Sequence, residues 1–182
     1  MLDLTDRQII DLLKSPDGKH GAFELMVKAY SRKLYWHVRR LVGDHEDAND
    51  VIQNVYIKVW ENLGRFRGDA RIYTWLYRIA SNEALNFIQG KSRRSTVALS
   101  ENEEQYSALA HDESGPDGDA IQQKLEKAIG RLPHKQRLVF NLRYYEDMKY
   151  EDMAEVTGTS VGALKASYHH AVKKIEEYIN ED

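Results

Sequence analysis

The chain contains no cysteine, and that one absence excludes disulfides, thiolate zinc sites, iron–sulfur clusters and cysteine nucleophiles together. Proline is scarce, at three residues, and runs of β-branched residues are nearly missing, so helices are expected in place of strands. No apolar stretch approaches the ~18 residues needed to cross a bilayer. Met1–Lys14 alternates charged and apolar residues at helical spacing and lacks the basic start and unbroken apolar segment of a signal peptide. The expectation is a cytoplasmic protein with no membrane insertion. Recognisable reaction chemistry is also lacking. No carboxylate pair, Ser–His arrangement, phosphate loop or metal cluster stands out, so no enzymatic activity, cofactor or small-molecule substrate is expected. His169 and His170 are adjacent and point in different directions on a helix, which makes them a poor metal pair.

The chain does carry hydrophobic periodicity. Of its 182 residues, 42% are hydrophobic and 30% charged, a balance that can build packed cores. Phe23, Val27, Tyr30, Leu34, Val38 and Leu41 fall on one helical face, and Gly43 stops that helix. Asp44 can cap the next helix, whose stripe is Ala48, Val51, Ile52, Val55 and Val59, with Gly64 at its end. A basic loop follows, then a helix from about Ile72 to Gln89. Composition shifts after Arg94. Ser95–Ala120 holds Glu101, Glu103, Glu104, Asp112, Glu113, Asp117 and Asp119 with no lysine or arginine, and reads as an acidic flexible linker. Helical periodicity returns at Ile121, Leu125, Ala128, Ile129 and Leu132. The predicted fold is all-α, with helical domains at 1–94 and 119–182 joined by a linker over 95–118.

The formal net charge is −3, which would be unusual for a chain that grips DNA alone. Location matters more than the total. Between Leu63 and Arg94, Arg65, Arg67, Arg71, Arg78, Lys91, Arg93 and Arg94 face only Asp69 and Glu83, a local excess of five positive charges. Near the other end, Tyr150–Lys165 has the layout of a helix-turn-helix. Ala154 is small where two helices must cross, Gly158 can take positive φ in the turn, and Ser160 can cap the second helix. Met153, Val156, Val161 and Leu164 can fill the angle. The second helix then offers Lys165, Ala166, Ser167, His169, His170 and Lys173 to phosphates or base edges. An ordinary helical hairpin would show several of the same features.

Three stretches taken in order resemble the bacterial sigma factors of the extracytoplasmic-function type. They are Leu41–Trp60, Arg65–Ala84, and Leu132-Pro133-His134-Lys135-Gln136-Arg137 followed by the helix-turn-helix. The resemblance implies a protein that binds core RNA polymerase and directs it to promoter DNA, with an anti-sigma factor as a regulating partner. It implies docking on the polymerase clamp helices through Asp47, Asp50, Gln53, Asn54 and Ile57. Without it, that polar face would be read as merely solvated. It assigns minus-ten recognition to Arg65, Phe66, Arg67, Gly68, Asp69, Arg71 and Asn82, and minus-thirty-five recognition to Lys165, Ala166, Ser167, His169, His170 and Lys173. Among the aromatics after the loop, Trp75 is expected in the core, and Thr74 near the strand. The chain departs from the family where its recognition helix lacks arginine, which removes bidentate guanine contacts there, and at Asn49, where an acidic residue is common. The acidic linker could compete with nucleic acid for basic channels in the enzyme. In the free chain, the two domains are expected to pack together and occlude their own DNA surfaces. The competing reading is a free-standing helix-turn-helix regulator, which would need a dimerisation or ligand domain that the N-terminal half does not resemble.

Overall fold

The computed structural model describes residues 4–66, 71–97 and 119–181. Eight helices account for nearly all of them: α1 (Leu4–Leu13), α2 (Lys19–Val42), α3 (His45–Leu63), α4 (Ile72–Val97), α5 (Asp119–Gly130), α6 (His134–Tyr144), α7 (Tyr150–Thr157) and α8 (Val161–Asn180). Helix α4 continues to Val97, past the point where composition turns acidic. Most of the acidic stretch, and its suggested competition with nucleic acid, lie outside the described residues.

Helices α1–α4 form the first bundle. Leu34, Val38 and Leu41 of α2 pack with Val51, Val55 and Val59 of α3 and with Leu76, Ala80 and Ala84 of α4, all at most 2% exposed. Each large aliphatic side chain so buried contributes roughly 1.5–3 kcal/mol. Sharp ends hold the register. Gly43 adopts φ 88° and donates its N–H to the Arg39 carbonyl, closing α2 in a left-handed cap that a β-carbon would strain. The Asp44 carboxylate then accepts from the N–H groups of Glu46 and Asp47 and starts α3. Those two bonds hold its pKa below the ordinary carboxylate value. Helix α1 lies against α2, where buried Asp6 accepts a 2.7 Å hydrogen bond from the Tyr30 hydroxyl.

One polar group sits deep in this bundle. His37 is fully buried, with Nε2 2.9 Å from the Ser81 hydroxyl and its ring 4.8 Å from that of Tyr77. Burial first, and the Arg40 charge second, lower its pKa to about 3, so the imidazole is neutral at ordinary pH.

Helices α5–α8 form the second unit. Ala128, Ile129, Leu132, Phe140, Ala171 and Ile175 make a cluster of their own. Leu138, Val139, Leu142, Met148, Met153, Val156 and Leu164 instead join the core of the first bundle. The two units therefore share an apolar core in the described residues, with α7 laid against α4 and α6 against α2.

Candidate nucleic-acid interface

The end of α3 and the outer face of α4 enclose an open cleft of about 910 Å³. Its wall is aromatic: the Phe66 and Trp75 rings are 5.1 Å apart at 50°. Its rim is polar, with Lys58, Asn62 and Arg65 from one side and Arg78, Asn82, Asn86 and Gln89 from α4. The Lys58 ammonium is satisfied by Glu83 within the cleft. Arg65 and Arg78 are exposed, and neither forms an ion pair with a described residue. Flat rings stack on bases, arginines neutralise phosphates, and side-chain amides both donate to and accept from base edges. The combination suits a single unstacked nucleotide better than a helical duplex, which a concave site of this size would exclude.

Two sequence expectations change here. Trp75 is not core; it is half-buried on the cleft wall, and Tyr77, two residues on, is the aromatic that is 0% exposed. Helical geometry decides this, because residues two apart face different ways and Tyr77 shares its face with Ala80 and Ala84. Thr74 does not face the cleft either. It is 2% exposed, and its hydroxyl has no hydrogen-bond partner among the described residues. Of the residues expected at the minus-ten region, Phe66, Arg65 and Asn82 meet at the cleft. Arg67, Gly68 and Asp69 lie outside the described residues. Arg71 sits apart, beside Asp152 of α7 at 3.7 Å. Sequence reasoning missed Lys58, Asn62, Arg78, Asn86 and Gln89. The last three, with Asn82, recur at helical spacing opposite Leu76, Ala80 and Ala84, a polar stripe that periodicity could have revealed.

The helix-turn-helix forms as its residues suggest. Gly158 takes φ 67° between α7 and α8, and the Ser160 hydroxyl oxygen accepts from the Ala163 N–H at 3.3 Å. Met153, Val156 and Leu164 are buried in the angle, whereas Val161 stays half-exposed at the start of α8. Lys165, Ala166, His169, His170 and Lys173 are all exposed along α8, with Ser167 half-exposed. Lys165 leans on the Tyr150 ring, its ammonium 5.6 Å from the centroid, and Lys173 faces Glu177 at 4.0 Å. This face carries no arginine.

On α3, Asp50, Gln53, Asn54 and Ile57 form an exposed row, with Ile57 56% exposed. Asp47 differs from expectation. It is half-buried and paired at 2.7 Å with Lys91 of α4, because the helices pack closely enough for α4 to reach it. Asn49 lies beside the His45 ring at 3.1 Å. Among the described residues no group of three or more histidines and acids could hold a metal ion, and no helix is long and apolar enough to cross a membrane.

The packing of the two units takes in Arg71, which meets Asp152 of α7. The cleft beside α4 and the exposed residues of α8 stay open.

The profile of Sigma-70 region 2 matches residues 26–94, and that of Sigma-70, region 4 matches residues 122–175. The chain is an RNA polymerase sigma factor of the extracytoplasmic-function type. It is 33% identical to the ECF RNA polymerase sigma-E factor of Haemophilus influenzae, over 97% of this chain and 96% of that protein. It is 35% identical to the RNA polymerase sigma-H factor of Pseudomonas aeruginosa, over 94% and 92%. Among solved structures it resembles CnrH in complex with the cytosolic domain of CnrY, with a TM-score of 0.71 at 20% identity over 98% of this chain and 99% of that one. It also resembles the sigma factor RpoE in complex with the anti-sigma factor NepR from Bartonella quintana, with a TM-score of 0.71 at 23% identity over 88% and 98%. At such identities these structures establish the fold. As a sigma factor, the chain directs RNA polymerase to promoters, and the reading as a free-standing regulator is set aside.

Proposed function

We propose that this sigma factor reads its promoter at two physically different places. The cleft beside α4 takes one unstacked base of the melted minus-ten strand against Phe66 and Trp75, with Asn82 and its amide neighbours on the base edge and Arg65 and Arg78 on the backbone. Helix α8 lies in the major groove of the minus-thirty-five duplex, with Lys165, His169, His170 and Lys173 on phosphates and base edges. The exposed row Asp50, Gln53, Asn54 and Ile57 docks on the polymerase. Residues 1–94 and 119–182 act as the two working domains, with 95–118 as the connection.

The observation that carries this reading is the cleft, which places an aromatic wall, two arginines and a row of amides around a space open enough to admit an unstacked base. The negative net charge is compatible, because a chain that borrows polymerase for most of its DNA grip needs only local positive potential. The protein works in the cytoplasm as a specificity subunit with no catalysis of its own. An anti-sigma factor is its natural regulator, in line with the anti-sigma factor NepR bound in the related Bartonella quintana structure. Transcription by purified core polymerase on candidate promoters, with and without the chain, tests the proposal. Start-specific transcripts that require the chain and vanish on mutation of the cleft are expected. Transcripts indifferent to cleft substitutions would overturn the assignment of the cleft.

A further inference from the structure

The floor of the cleft beside α4 is apolar with one exception. Among the described residues that line it, Phe66, Trp75, Ile79, Leu85 and Glu83 are drawn in from solvent, and the rest stand exposed on the rim. Four of those five are apolar, so Glu83 alone brings a polar group to the floor. Its side chain is 14% exposed, against 48% for that of Lys58, which donates to its carboxylate from α3. Helices α3 and α4 each supply one half of the pair, and this fixes where the carboxylate points. The fold does not require the pair. Partly exposed ion pairs add little to stability, and the bundle beneath is already held by the aliphatic core of α2, α3 and α4.

The two ends of the pair offer opposite chemistry. A carboxylate in an ion pair only accepts hydrogen bonds, and an ammonium only donates them. Because the acceptor lies deeper, it meets whatever part of a base enters first. Arg65 and Arg78 stand exposed at the rim, where a sugar–phosphate backbone would stay. A base inserted from that side leads with the end farthest from its sugar, which is C4 of a pyrimidine or C6 of a purine. Cytosine and adenine carry an amino group there, thymine and guanine a carbonyl oxygen. The amino group can donate to Glu83. The carbonyl oxygen would set a second acceptor against a carboxylate in an apolar floor, and one of them would go without a donor unless Lys58 swung inward.

We infer that Glu83, oriented by Lys58, selects the base that enters the cleft, admitting cytosine or adenine and rejecting thymine or guanine. The inference rests on the reading of the cleft as the site of one unstacked base and adds the class of base it takes. Asn82, Asn86 and Gln89 do not duplicate this role. Each side-chain amide both donates and accepts, so each can pair with either class. Discrimination needs a group that can do only one of the two, and Glu83 is the only acid among the described residues that line the cleft. Lys58 is a positioning residue here. Its flexible stem can also carry the ammonium toward a carbonyl oxygen, which holds the preference to about tenfold, below that of a rigid site.

The test is the lifetime of the open complex formed by holoenzyme on promoters carrying each of the four bases in turn at every non-template minus-ten position. A further set carries pyrimidin-2-one, which is cytosine without its amino group. At the position that depends on Trp75, the wild type should hold cytosine or adenine roughly tenfold longer than thymine or guanine. Pyrimidin-2-one should lose most of what cytosine gains. Glu83→Gln, whose amide can donate to a carbonyl oxygen, should bring the four bases to within about threefold of one another. Lys58→Gln should blunt the preference and Lys58→Arg preserve it. Glu61→Gln, exposed on α3 outside the cleft, should leave it intact. The pyrimidin-2-one comparison uses the unaltered chain, so the test stands even if Glu83→Gln fails to fold. Thymine or guanine held as long as cytosine and adenine at the Trp75-dependent position, or a preference that Glu83→Gln leaves unchanged, would overturn the assignment of Glu83 while leaving a base in the cleft. Absence of any Trp75-dependent position would bring down the cleft reading itself, and this inference with it.

Discussion

The two surfaces proposed to read DNA in this sigma factor pose opposite problems. Beside α4 the surface is concave, walled by Phe66 and Trp75 and rimmed by amides and arginines. Along α8 it is the exposed face of a single helix, with lysines and histidines and no arginine. A concave aromatic site gains by taking a base out of the stack, and a convex helix gains by entering an intact groove. Energy should therefore be concentrated at the first and dispersed at the second. Substitutions that remove a single side chain should separate them.

The largest effect is expected from Trp75→Ala. Stacking on an aromatic is worth about 1–3 kcal/mol per base, so stable open-complex formation should fall by roughly 5- to 150-fold with core binding retained. Run-off transcription alongside a core-binding assay would show this. Acid should separate the two halves next. His37 is buried neutral with a pKa lowered to about 3, so between that value and 6.5 the unfolded chain binds the extra proton. Stability must then fall as pH drops below 6.5, by up to about 1.4 kcal/mol per pH unit. Urea unfolding at pH 7 and pH 5 should show the loss in the wild type, with a shallower pH dependence in His37→Gln. A third substitution works in the other direction. Lys165→Arg with His170→Arg restores the forked donors that read guanine, worth about 1–3 kcal/mol per good pair. Promoters with guanine in the upstream element should gain several-fold, and others much less, in a competition footprint. The smallest effect belongs to Lys165→Ala, a few-fold loss of holoenzyme affinity. If Lys165 touches phosphate, the slope of log affinity against log salt falls by ~0.9.

Much of this was legible in the residues, and what was not has physical causes. Helix ends with local chemistry, such as Asp44 capping α3 and Gly158 turning α7 into α8, depend on neighbours in sequence and were readable. The helix-turn-helix core was readable for the same reason, except at Val161, where α8 begins before the angle closes over it. Trp75 was misplaced because three aromatics at alternate positions cannot share a face, and sequence does not say which one the bundle takes in; packing of α4 on α2 chose Tyr77. Asp47 looked exposed because Lys91 lies 44 residues away on another helix. The contact of Glu146 with the first bundle could not be read at all. Glu146 looks like any surface acid until Arg40 and Tyr77 are brought to it by a contact between two separately recognisable units.

The central claim is that one unstacked base occupies the cleft, and a thermodynamic cycle tests it most directly. Holoenzyme would be measured for open-complex stability on promoters carrying a single abasic site at each non-template position of the minus-ten element in turn, with the wild-type chain and with Trp75→Ala. The account predicts one position where removing the base costs the wild type roughly as much as removing the tryptophan, and costs the variant almost nothing more. Equal penalties in both proteins at every position would show that no base depends on the cleft and would contradict the account.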